Sequence, residues 1–296
     1  MEESYRSVLP REILEGLDRL PKQEDVQELR LRCGQYAAYA NGIGEWILPV
    51  GSRGFPVDAP CLQQIMNKAA GYSTYASADQ LRQGFLTLPG GHRLGICGQA
   101  VMCPDGVQTL RNISSLNLRI AKKLPDVGQD LAPVMVHSPV STLIAGPPGC
   151  GKTTLLRALI RICSETLGER VGVVDERMEL GACAYGMPGF SLGSHTDILS
   201  GTPKETGIYM LLRTMRPQWI AVDEITRAED VTALMQCAFC GVKLLASAHI
   251  FSKEDLNARP LYAKMCRLGI FDQMILMDKH HHYTVERMNT NDQAVG

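Results

Sequence analysis

The chain has 296 residues, 45% hydrophobic and 21% charged, with a formal net charge of −1. That length exceeds the roughly 100–200 residues of one domain, so two domains of unequal size are expected, at 1–125 and 126–296. The composition excludes a largely disordered chain, and the near-zero charge argues against a nucleic-acid partner, which calls for a clustered basic excess.

An opening helix is predicted from Pro10, which suits a first turn, and from Ile13, Leu14, Leu17 and Leu20 on one face. Next, "QELRLRCG" alternates Leu29 and Leu31 with Arg30 and Arg32, a strand with one buried face, and Asn41-Gly42 marks a hairpin turn. "GFLTLPGGHRLGICGQAV" reads as a second hairpin around Gly90-Gly91, and "SLNLRIAKK" as one more short strand. Pro125, Gly128, Pro133 and Pro139 crowd one stretch, the expected linker. Beyond it "TLIA", "VGVVDE", "WIAVDE" and "VKLLASAHI" alternate with helical patterns, the signature of parallel strands joined by crossover helices. Cys237 and Cys240 form one CxxC pair in a helical stretch and read as core. His280, His281 and His282 would alternate faces if extended, a poor chelate, and predict an edge strand. The polar start carries no secretory pattern, the scattered cysteines read as reduced thiols, and no apolar run reaches the roughly 18 residues of a membrane span.

The chemistry concentrates in the second half. Gly146, four intervening residues, then Gly151, Lys152 and Thr153 carry the spacing of a phosphate cradle between strand and helix. The cradle residues are Gly146, Pro147, Pro148, Gly149, Cys150, Gly151, Lys152, Thr153 and Thr154, with inward N–H groups and a helix N-terminus favouring anions. Lys152 is expected on the phosphates of ATP and the Thr153 hydroxyl on Mg²⁺. Asp223 and Glu224 end a neighbouring apolar strand; Asp223 is expected to hold the magnesium shell and Glu224 to polarise water. Glu176 ends a further strand, where the crevice of an open α/β sheet lies, so Glu176 and Glu224 are expected to face the γ-phosphate, and His249, ending a third strand, is expected to sense that phosphate or orient water. Arg213, Arg216 and Arg227 flank the Asp223 strand and are candidates to complete a neighbouring subunit's site.

"GPPGCGKTT", "VVDERMEL", "MLLRTMRPQWIAVDEITRAED" and "LLASAHI", in that order, resemble the ATPases of type II and type IV secretion systems and pilus motors. "ELRLRCGQ", "GFLTLPGGHRLGICGQAV", "SLNLRIA" and "HTDILSGTPKETGIYMLLRTMRP" resemble the stage III sporulation protein AA family, from about residue 27 to about residue 278. The resemblance implies an α/β fold: a RecA-like P-loop NTPase core with a mostly parallel sheet flanked by helices, preceded by a small α+β domain. It implies an ATP hydrolase in which Glu176 activates water, Asp223 and Glu224 form the second acidic motif, and His249 the histidine box. It also implies that Arg93 and Arg119 contact nucleotide from the amino-terminal domain. A homohexamer follows, with an integral membrane channel subunit as partner and a place at the cytoplasmic face of the membrane, on the mother-cell side during sporulation. The sequence departs from the secretion motors in carrying Asp223-Glu224 where they have Gly-Glu, and in lacking their tetracysteine zinc module. A second class stays open: a nucleotide-gated assembly scaffold with little hydrolysis.

Overall fold

The computed structural model describes residues 5–21, 26–71, 80–104, 106–121, 127–183 and 187–288. It divides into two compact units, the first comprising Met1–Lys123 and Ala182–Phe190, the second Leu124–Gly181 and Ser191–Gly296.

The first unit is built on an antiparallel six-stranded sheet in the order β3-β2-β1-β6-β5-β4. The strands are β1 (Glu28–Arg32), β2 (Ala38–Ala40), β3 (Glu45–Ile47), β4 (Phe85–Leu88), β5 (His92–Cys103) and β6 (Gly106–Arg119). In β1 Leu29 and Leu31 are fully buried, while Arg30 and Arg32 turn outward to ion pairs with Glu28 and Glu45. Each such leucine stabilises the fold by about 1.5–3 kcal/mol. Helix α1 (Arg11–Asp18) buries Ile13 and Leu17 in this core, and α2 (Ala59–Ala70) adds Leu62 and Ile65. The Asp58 carboxylate caps α2, accepting from the Cys61 N–H at 2.8 Å. Asn41 makes the predicted turn, its Oδ1 accepting from Ile43 N at 2.8 Å.

One expectation is corrected here. The short strand around "SLNLRIA" is the end of β6, a strand of 14 residues. Its first part pairs with β5 where β1 does not reach, and its side chains there are exposed or half-buried. A ribbon held by cross-strand pairs has no buried face, so period-two patterning cannot reveal it.

The second unit holds a seven-stranded sheet in the order β13-β12-β7-β11-β10-β8-β9. Its strands are β7 (Thr142–Ala145), β8 (Val171–Asp175), β9 (Thr196–Ser200), β10 (Trp219–Val222), β11 (Lys243–Ala248), β12 (Gln273–Met277) and β13 (Tyr283–Arg287). All neighbours are parallel except β12 and β13. Every residue of β7, β8 and β10 is buried, as a sheet covered on both faces requires. Leu143 enters one core cluster and the adjacent Ile144 the other. The helices are α3 (Ala132–His137), α4 (Lys152–Arg161), α5 (Lys204–Thr214), α6 (Ala228–Phe239), α7 (Lys253–Ala258) and α8 (Pro260–Arg267).

Three further readings differ from the structure. Part of the expected linker is helical: Pro133 sits in the first turn of α3, and Leu131 and Met135 are buried; Pro125 lies outside the described residues. The three histidines occupy the turn between β12 and β13, and the edge strand begins only at Tyr283. Cys237 is core, but Cys240 is exposed at the end of α6.

Candidate functional site

Strand β11 lies between β7 and β10, so the groups at its carboxyl end stand between the loop after β7 and the acids after β10. The loop from Gly146 to Gly151 joins β7 to α4. Gly146 has no room for a side chain, because an added Cβ would lie 2.7 Å from Cys150 Sγ. Gly149 has a φ of 77° and open space where its Cβ would be. Cys150 is buried beneath the loop, Pro148 is exposed, and Thr154 lies half-buried in the first turn of α4.

Lys152 is buried, and its ammonium donates to Gly146 O at 2.9 Å, Pro147 O at 2.8 Å and His249 Nδ1 at 3.0 Å. Burial lowers its pKa, against the raising pull of Cys150, Asp223 and Glu224. An ammonium only donates, so His249 Nδ1 accepts and the ring proton sits on Nε2, 2.9 Å from Glu224 Oε1. The Thr153 hydroxyl donates to Asp223 Oδ2 at 2.8 Å. Ser247 ties this cluster to the backbone: its hydroxyl bonds Asp223 Oδ1 and accepts from Glu224 N at 2.9 Å. Glu224 itself holds a φ of 49°, the left-handed strain typical of functional positions. A buried ammonium, a hydroxyl beside a carboxylate and a helix N-terminus form a donor set that fits a phosphate chain and its Mg²⁺.

The two remaining acids are held by a crossed pair of arginines. Arg177, following β8, pairs with Glu224 at the end of β10, while Arg227, following β10, pairs with Glu176 at the end of β8, at 2.6 Å. Glu176 has a second cation, the buried Lys204 in the first turn of α5. Burial pushes the Glu176 carboxyl up, but hydrogen bonds and charge from Lys204 and Arg227 outweigh it and hold the group below the usual carboxylate range. Asp175, its neighbour, is a turn former: it accepts from the N–H groups of Glu179, Leu180 and Gly181 at 2.8, 2.9 and 2.8 Å.

The sequence-predicted residues thus separate. Lys152, Thr153, Asp223, Glu224 and His249 form one bonded cluster, and Glu176 and Arg227 form a pair beside it. Arg227, a candidate for a neighbouring subunit's site, pairs in this chain with Glu176 at 2.6 Å, and its backbone N–H donates to Asp230 Oδ2 at 3.1 Å at the start of α6. Arg213 and Arg216 do not join the cluster within one chain. They lie at the end of α5 that leads into the amino end of β10, whereas the loop lies at the carboxyl end of β7. Arg216 O accepts from Arg170 Nε at 3.0 Å there. Arg93 and Arg119 belong to the first unit and stand opposite each other on β5 and β6; Arg93 lies 3.7 Å over the Phe85 ring and Arg119 3.6 Å from Glu28.

Sequence reasoning missed Lys204 and Ser247. Both leave a signal: a lysine in a helix's first turn opposes the helix dipole, and a lone serine interrupts an apolar strand.

The sequence profile described as "Sporulation stage III, protein AA" matches residues 4–289. Stage III sporulation protein AA of Bacillus subtilis (strain 168) is 34% identical over 285 residues, 92% of this chain and 89% of that protein. The protein ycf45 of Cyanidium caldarium is 28% identical over 56% of this chain and 49% of its own length. Among solved structures, the pilus retraction motor PilT with bound ADP superposes with a TM-score of 0.61 at 13% identity, covering 95% of this chain and 83% of that one. The Legionella pneumophila ATPase DotB superposes at 0.59 and 14%, covering 93% and 78%. At these identities the structures show the fold alone: a mostly parallel sheet flanked by helices, shared with PilT and DotB. Profile and relative together place the chain: it belongs to the family of sporulation stage III protein AA.

Proposed function

We propose that this protein is a Mg²⁺-dependent ATP hydrolase that works as a homohexamer on a membrane channel of the sporulating cell. The observation that carries the reading is the buried Lys152 ammonium, held beside the Thr153–Asp223 pair at the start of α4. Lys152 binds the phosphates by exchanging its bonds to Gly146 O and Pro147 O, Thr153 and Asp223 hold the metal, and Glu176 orients the attacking water. Bound Mg²⁺ and ATP supply the phosphoanhydride and the charge that offsets its negative oxygens. Among the described residues no helix is long and apolar enough to cross a membrane. A peripheral position through an integral partner, at the cytoplasmic face on the mother-cell side, is part of the proposal.

A second reading rests on the ion pairs. Glu176 carries two cations and Glu224 is held by Arg177 and His249, so neither acid is poised to take a proton from water until a partner is withdrawn. A nucleotide-gated scaffold would keep that arrangement; a hydrolase opens it, by assembly or by a partner.

The test is steady-state ATP hydrolysis over a protein concentration series, with particle mass followed by light scattering and with Lys152→Ala and Glu176→Gln in parallel. A hydrolase shows turnover that grows with ring formation and is lost in both variants. ATP-dependent rings with no turnover at any concentration, and equal ring formation by Glu176→Gln, favour the scaffold.

A further inference from the structure

The end of β12 and the turn that follows it back the phosphate loop at its two ends. An added Cβ at Gly146 would lie 2.8 Å from Met277 O, and one at Gly151 would lie 3.3 Å from His281 Nδ1 and 3.6 Å from Met277 Cε. His281 Nδ1 is 3.0 Å from Cys150 O. A carbonyl only accepts, so Nδ1 carries a proton and donates it.

The turn is built to hold that ring in place. Asp278 Oδ1 accepts from His280 N at 2.7 Å and from His282 N at 2.9 Å, and Asp278 N donates to His282 O at 2.9 Å. Between them His281 holds a φ of 66°. Left-handed backbone costs a residue with a side chain on the order of 1 kcal/mol and persists only where the surroundings impose it. All three histidines of the turn are exposed, and His281 directs its Nδ1 to the loop.

The consequence lies on the other side of the peptide. A trans peptide sets its C=O and N–H on opposite sides of one plane. With Cys150 O held by the turn, the Gly151 N–H points away from it, and no group among the described residues accepts from that N–H.

We propose that His281 is a positioning residue for phosphate binding: it pins the Cys150–Gly151 peptide from behind, so that the Gly151 N–H is presented to a phosphate oxygen. The inference rests on the nucleotide-binding reading above. His281 acts through the loop and makes no contact with the nucleotide.

Calorimetric titration of the full chain with ADP tests it, comparing the parent protein with Lys152→Ala, His281→Ala, His281→Gly and His281→Asn. Glycine accepts the left-handed backbone but donates nothing; asparagine also accepts it, and its Nδ2 can take the place of Nδ1. His281→Ala and His281→Gly should weaken ADP about tenfold, one hydrogen bond's worth, while His281→Asn stays within about threefold of the parent. Melting curves without nucleotide should keep His281→Gly and His281→Asn close to the parent. Parent-like ADP affinity in the alanine and glycine variants overturns the inference, as does equal weakening in all three. If the parent binds no ADP, or Lys152→Ala binds as well as the parent, the nucleotide reading falls and the inference with it. Loss in Lys152→Ala alone overturns only the role of His281.

Discussion

The two sheets of this protein use charge in opposite ways. In the first unit, Arg30 and Arg32 meet Glu28 and Glu45 on the outer face of β1, half in water, where such pairs contribute little. In the second unit, β7, β8 and β10 are wholly buried and apolar except for Thr142 and Asp175 at strand ends, and polar groups gather beyond their carboxyl ends: Lys152, Asp223, Glu224, Glu176, Lys204 and Arg227. A sheet with one wet face can place ions anywhere along it. A sheet covered on both faces can place them only at its ends, and that confinement builds a site.

The sharpest way to break this contrast is at the loop. Lys152→Ala removes charge-assisted bonds of about 1.5–3 kcal/mol each, so nucleotide affinity should fall on the order of a hundredfold, with the first unit's amide exchange unchanged. Affinity within a few-fold of the parent would mean the buried ammonium is structural.

Next comes the buried pair. Lys204→Met leaves Glu176 with Arg227 alone and should destabilise the second unit by about 3 kcal/mol, read as a lower thermal midpoint. Adding Glu176→Gln should recover part of that loss. If the single change costs no more than a surface pair, Lys204 does not hold the acid.

Acidity separates the units differently. In the first unit His92 is buried, accepts from Ala121 N at 3.0 Å and packs edge-on to Tyr5; burial lowers its pKa from 6.5 to about 4. The unfolded chain therefore binds a proton that the folded one refuses, and stability complete above pH 6.5 declines as the pH falls from there toward 4, by about 3 kcal/mol in all. Glu176, whose pKa is lowered, contributes stability that is present above the ordinary carboxylate range and lost only as the pH falls through and below it. Exchange mass spectrometry should show the first unit loosening before the second on acidification, and His92→Gln should abolish that order. The smallest effect belongs to Arg32→Ala, under about 1 kcal/mol and further reduced by salt.

Much of this architecture is legible in residue order. Alternation in "ELRLR" gives a strand with one buried face, unbroken apolar runs give buried parallel strands, and the spacing of Gly146, Gly151 and Lys152 places the loop. These signals are local: each depends on which face of one element meets water. Half-exposed β9 and the β5–β6 ribbon carry no such signal, because their contacts with the core, through Ile198, Leu199, Leu110 and Ile113, are partial and leave no wholly buried face.

Tertiary structure decided the partners. Residue order places Glu176, Glu224, Arg177 and Arg227 at strand ends, but only the adjacency of β8 and β10 crosses their pairing. Insertion of β11 between β7 and β10 sets Ser247 and His249 among the loop and the acids, and the last hairpin brings His281 to Cys150, 131 positions away in the chain. Hydrogen bonds and ion pairs reach only about 3 Å, so which groups meet depends on strand order in the sheet, which no local pattern encodes.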